Sequence, residues 1–137
     1  MSQAQRSLLQ ERAKHAWNAI QEALKKAQGS PKIQKEYASL VRRTPSLIRS
    51  SGLGQTLAFL KAKKDKEHEW LYKHLSQWVL GQVKSPSDGD LLGWIINKAD
   101  QKLYRYATQE ALAYLRWLKR FAESELKPGE RDESTQK

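Results

Sequence analysis

Cysteine is absent from these 137 residues, which excludes disulfides and thiolate zinc sites. Long apolar runs are absent too. No stretch approaches the roughly 20 residues that a bilayer-spanning helix needs. The opening Met1-Ser2-Gln3-Ala4-Gln5-Arg6 lacks the apolar core of a signal peptide. A cytoplasmic location without a membrane partner is therefore expected. Apolar–polar alternation is missing, so nothing argues for a strand. Acids are scarce: 15 Asp and Glu stand against 25 Lys and Arg, a net charge of +10. Residues 1–122 alone carry 22 of those bases and 10 of the acids. Such a surface concentrates polyanions, and the attraction weakens as salt rises. Nucleic acid is the expected partner.

What is present reads as one soluble, all-α domain, a single compact bundle of about six helices. Its length suffices to bury roughly two-thirds of the unfolded surface. The helical domain is placed at 1–126, and 127–137 is expected to be a disordered polar tail. Leu9, Ala13, Ala16, Trp17, Ile20, Leu24 and Ala27 form the first apolar stripe, with Glu11, Lys14, Asn18 and Lys25 opposite. Glu22 can reach Lys26 at i,i+4. Gly29-Ser30-Pro31 stops this helix and opens the next. The second carries Ile33, Tyr37, Leu40 and Val41, and is expected to end before Pro45. A short helix through Leu47 and Ile48 follows, closed by Gly52. Further helices are expected over 54–64, over 67–81 with Trp70, Leu71, Leu75, Trp78 and Val79 buried, and over 91–97. Ser85-Pro86-Ser87-Asp88-Gly89 is a turn by composition. The last helix is expected from an N-cap at Thr108 to about Leu126, with Glu110 in its first turn. It is apolar around most of its girth, so it is either central or pressed against another protein.

The region from Arg42 to Lys66 holds seven bases (Arg42, Arg43, Arg49, Lys61, Lys63, Lys64 and Lys66) and one acid, Asp65. No nucleophile, acid–base pair or metal box accompanies them. Gly52-Leu53-Gly54 lacks the Gly-Lys-Ser/Thr of a nucleotide phosphate loop, and a glycine-based helix junction explains it better. The N–H groups opening the following helix could instead cradle a backbone phosphate. His68 and His74 stand about 240° apart on a helix, a poor metal pair best read as surface residues. Asp88-Gly89-Asp90 starts like a calcium loop, but its twelfth position is Ala99. Nothing gathers a Ser-His-Asp set. Tyr104-Arg105-Tyr106 and Trp117 beside Arg116 and Lys119 could stack nucleobases. Trp17, Trp70, Trp78, Trp94 and Trp117 sit on apolar stripes, which favours a core role. No catalytic residue, cofactor or metal is expected, and a polyanion-binding role is.

Two segments carry a family resemblance. The first runs Tyr37-Ala38-Ser39-Leu40-Val41-Arg42-Arg43-Thr44-Pro45-Ser46-Leu47-Ile48-Arg49, then Gly52-Leu53-Gly54-Gln55-Thr56-Leu57-Ala58-Phe59-Leu60. The second is Leu103-Tyr104-Arg105, then Ala107-Thr108-Gln109-Glu110-Ala111-Leu112 and Trp117-Leu118-Lys119-Arg120-Phe121-Ala122. Together they resemble the small helical subunit of the CRISPR type III-B (Cmr) RNA-guided effector complex. Ser51 departs from the pattern, where Asn is expected before Gly52. The resemblance implies a non-catalytic component of a ribonucleoprotein in antiviral defence. It further implies other Cmr subunits, stacked copies of the same chain, guide RNA and target RNA as partners, with RNA cleavage left to other subunits. Isolated, the chain is expected to be monomeric. Carried over, the RNA- or partner-binding bases are Arg42, Arg43, Arg49, Lys61, Lys63, Lys64, Arg105, Arg116, Lys119 and Arg120. Three rivals stay open: a freestanding nucleic-acid binder, a protein-only adaptor, and a small ribonuclease using Asp88, Asp90 or a histidine.

Overall fold

Spacing of apolar side chains at the helical period resolves into six helices among the described residues. The computed structural model describes residues 7–84 and 90–126, so the expected turn at 85–89 and tail at 127–137 lie outside the described residues. The elements are α1 (Leu8–Ala27), α2 (Pro31–Ser51), α3 (Leu53–Ala62), α4 (Lys66–Val83), α5 (Leu91–Asn97) and α6 (Gln101–Glu125). The fold is all-α, with no strand among the described residues. Local chemistry sets most boundaries. Ser7 and Gln10 close a capping box on α1, and Ser30 caps α2 ahead of Pro31. Gly52, at φ +91°, ends α2 with its N–H on the Ile48 carbonyl at 2.8 Å.

Two boundaries differ from expectation. Helix α2 does not end before Pro45; it continues through Leu47 and Ile48 to Ser51. The ring removes one helical donor and crowds the preceding turn, at a cost of about 3 kcal/mol. Tyr37, Leu40, Val41, Thr44 and Ile48 nevertheless share one buried stripe across it. Burying each large apolar side chain contributes about 1.5–3 kcal/mol, so the stripe outweighs the proline. Helix α6 likewise starts seven residues before Thr108, where Asp100 Oδ1 accepts from the Leu103 N–H at 2.8 Å. Thr108 lies inside the helix, its hydroxyl on the Tyr104 carbonyl at 3.0 Å.

Helix α6 is central: it packs against α1, α2 and α4. Its inward face of Ala107, Ala111, Tyr114, Leu115, Leu118 and Ala122 meets Ala16, Ala19, Ile20 and Ala23 in one core cluster. Alanines let α1 approach closely, while Leu and Tyr fill the space beyond. Trp70, Trp78 and Trp94 are core residues as expected, but Trp17 is 39% exposed and Trp117 half-buried. The histidines depart further. His68 and His74 are both buried, because the stripe of α4 is wide enough to take them in. The Nε2–H of His74 donates to Glu22 at 2.7 Å, and its Nδ1 accepts from the Tyr37 hydroxyl at 3.1 Å.

Glu110 is also displaced from its expected role. It lies in the third turn of α6, 5% exposed, and not at the helix start. Arg12 grips its carboxylate from α1 through Nε at 2.6 Å and a second guanidinium nitrogen at 3.1 Å. The Trp78 indole N–H adds a third bond at 2.8 Å. Three donors offset the desolvation of this charge.

Candidate nucleic-acid interface

Two helix faces present most of the sequence-predicted bases. On α2, Arg42 and Arg49 are seven residues apart and share a stripe, with exposed Lys35 seven residues earlier. Arg43 stands about 100° around the helix and is exposed. On α6, Arg105, Arg116, Lys119 and Arg120 are all exposed and fall within about 100° of arc. Lys102 joins the same arc. Lys35 and Lys102 were not singled out from the sequence, although heptad spacing from Arg42 and Arg49 marks the first.

The two faces meet at one end of the bundle. The Gly54 N–H donates to the Tyr104 hydroxyl at 3.1 Å, fastening the start of α6 to the α2–α3 junction. Arg49 in the last turn of α2 and Arg105 in the first turns of α6 therefore lie at the same end. This bond also occupies one of the N–H groups considered as a phosphate cradle. A methyl group on Gly52 would meet the Tyr104 hydroxyl at 3.2 Å, so the tyrosine would have to give way by a few tenths of an ångström, in addition to the strain of a side chain at this positive φ.

Pairing separates the ten predicted bases into two groups. Lys61 Nζ lies 3.5 Å from Asp90 Oδ1 and 5.4 Å from the Tyr72 ring centre. Lys63 lies over Phe59 at 5.4 Å. Arg120 reaches Glu123 only at 3.9 Å, and both side chains are well exposed. Arg42, Arg43, Arg49, Lys64, Arg105, Arg116 and Lys119 have no acidic partner among the described residues.

Asp90, a candidate of the ribonuclease rival, is committed to the scaffold. The Tyr72 hydroxyl donates to it and accepts from the Leu92 N–H at 3.0 Å. That hydrogen bond, helped by Lys61, holds the Asp90 carboxyl below its ordinary range. Burial pushes the Tyr72 phenol up to about 12. Asp88 lies outside the described residues. Asp65, Glu67 and His68, which sequence reading did not combine, come together at the start of α4.

Aromatic side chains border the basic face of α6. Trp17 meets Phe121 edge-on at 5.2 Å, and Trp117 lies 5.4 Å from Phe121. Tyr106 is 38% exposed, whereas Tyr104 is held by Gly54. No helix among the described residues is long and apolar enough to cross a membrane.

Comparison with known proteins agrees with this architecture. The family model described as CRISPR-associated protein (Cas_Cmr5) matches residues 8–125. The CRISPR system Cmr subunit Cmr5 of Thermus thermophilus is 33% identical over 112 residues, covering 82% of this chain and 90% of that one. The crystal structure of a CRISPR-associated Cmr5 family protein from the same organism superposes with a TM-score of 0.69 at 29% identity, covering 88% of this chain and 97% of the other.

Proposed function

The chain belongs to the Cmr5 family of CRISPR-associated proteins, and from this premise we propose that it is a non-catalytic subunit of a type III-B Cmr ribonucleoprotein. In that particle it contributes RNA-backbone contacts and subunit packing to the guide-RNA-directed degradation of invading RNA. The observation that carries this reading is the surplus of exposed bases on α2 and α6, most of them without an acidic partner among the described residues. A merely solvated charged face mixes signs, as α1 does with Glu11, Lys14, Glu22 and Lys26. These faces do not. Arg42, Arg43, Arg49 and Lys64 with Arg105, Arg116, Lys119 and Arg120 supply the phosphate contacts. Lys61 and Lys63, although exposed, also contact Asp90 and Phe59 of their own chain and contribute less. Sequence choice is left to base pairing, as guided systems arrange it.

The Trp17, Trp117 and Phe121 cluster supports the packing half of the proposal. Aromatic groups half out of the core suit a protein neighbour, another subunit or a further copy of this chain. By itself the protein is expected to be monomeric and to bind RNA weakly, without sequence preference. If about five phosphates are neutralised, log K falls with log salt at a slope of about −3.5 on single-stranded RNA. Replacing Arg42, Arg49 or Arg116 with Ala lowers that slope by about 0.7 each, equally for unrelated sequences. Filter binding across a salt series measures it, and a flat response overturns the backbone-contact model. A tagged chain that retains RNA binding but captures neither guide RNA nor other subunits from its host favours a freestanding binder. Unchanged complex activity after Arg42→Glu with Arg43→Glu favours a protein-only adaptor.

A further inference from the structure

We propose that Asp65, Glu67 and His68, where α3 gives way to α4, form a binding site for a divalent transition-metal ion, with Zn2+ the best match. One ligand atom from each residue lies within 4.8 Å of the other two. The decisive member is His68. It is 6% exposed, and its Nδ1 is buried without a hydrogen-bond partner. The nearest acceptors, Glu67 Oε2 at 3.5 Å and Asp65 Oδ2 at 3.7 Å, lie beyond the normal N–H···O range. They stand close to where ligands of a shared ion would be. Zinc–nitrogen and zinc–oxygen bonds of about 2.0–2.1 Å put tetrahedral ligands about 3.4 Å apart.

Each donor is also otherwise uncommitted. Asp65 occupies the N-cap of α4, yet its side chain makes no capping bond. The Glu67 side chain is 13% exposed and turned toward the imidazole. Phe59 meets the His68 ring edge-on at 5.5 Å and fixes its plane. One imidazole with two carboxylates selects zinc or a similar ion over magnesium, which prefers oxygen ligands and water. Asp65 is 63% exposed, so the remaining coordination position opens to solvent. Lys63, Lys64 and Lys66 beside the site oppose a cation, so binding is weaker than at an enclosed structural zinc site. The ion would tie the loop after α3 to the first turn of α4, holding Lys63 and Lys64 in place. This inference does not depend on the RNA-binding proposal.

The test uses the full chain, stripped with a chelator and titrated with ZnCl2 by calorimetry. One ion per chain is expected, together with a rise in Tm of about 3–6 °C near saturation. Losing even an outer partner of a ligand weakens a metal site by about 10–100-fold, so Asp65→Asn with Glu67→Gln is expected to weaken binding at least tenfold. These isosteric changes, one exposed and one mostly buried but without a hydrogen bond to lose, should leave the metal-free Tm almost unchanged. Co2+ substituted into the wild type should give the visible absorption of a nitrogen- and oxygen-ligated ion, lost in the double variant. Absence of stoichiometric binding, or unchanged affinity in that variant, overturns the assignment.

Discussion

Glu110 shows how far a residue's role depends on what it meets. Its place in the sequence suggests a carboxylate near a helix start, but Arg12, which holds it, is 98 positions away. No local pattern announces such a pair. Glu110→Ala leaves the guanidinium of Arg12 and the indole N–H of Trp78 without their shared acceptor. Breaking one side of a buried pair costs about 3–5 kcal/mol, and the midpoint of chemical denaturation should fall accordingly. A loss below about 1 kcal/mol would mean that the pair is solvated. Gly52 was more legible, because a glycine ending an apolar-periodic segment marks a positive-φ stop. What the sequence withheld was the Tyr104 hydroxyl beside it.

Helices were readable as elements wherever one apolar stripe was continuous. The stripe of α1, the Ser30-Pro31 start of α2 and the span of α5 all follow from local composition. Boundaries failed where burial overrode a local signal. Pro45 is a stop by its own chemistry, yet Ile48, beyond it, belongs to the same buried stripe as Leu40 and Val41. Pro45→Ala restores an N–H for the Val41 carbonyl and relieves the crowded turn. Part of that gain is offset, since alanine leaves the unfolded chain freer. A net stabilisation of about 1–2 kcal/mol is expected, seen as a higher Tm. Destabilisation would show that the ring's packing matters more than its missing donor. The early start of α6 had the same origin: its first two turns are mostly exposed and anchored inside by Tyr104 and Ala107.

Across the whole molecule, α1, α2, α4 and α6 share a buried polar layer that only the assembled bundle contains. His15 Nδ1 and the Tyr114 hydroxyl share a hydrogen bond at 2.6 Å, while His74 bridges Tyr37 and Glu22. Burial holds both imidazoles below the ordinary histidine range. The hydrogen bond from His74, with Lys73 and Lys26 nearby, lowers Glu22 to about 2. In each case the unfolded chain binds protons more readily, so stability falls with falling pH. The histidine contribution is complete above about pH 6.5 and is lost below it, through the lowered folded values. The Glu22 contribution is complete above about pH 4.5 and fades toward pH 2. Thermal melts from pH 7.5 to 3 should therefore decline in two stages. His15→Gln flattens the first, Glu22→Gln the second, and a constant Tm between pH 7 and 5 would contradict the buried-histidine assignment.

Helical class, the surplus of positive charge and the family motifs were determined by the sequence alone. Each is a property of neighbours along the chain: periodicity, counts of charge, and residues in order. The tertiary structure decided what happens between distant segments. It carried α2 through its proline, drew His68 and His74 inside, joined Arg12 to Glu110, and separated partnered bases from free ones. The physical reason is that burial and pairing depend on which surfaces meet, and a linear pattern specifies one surface at a time.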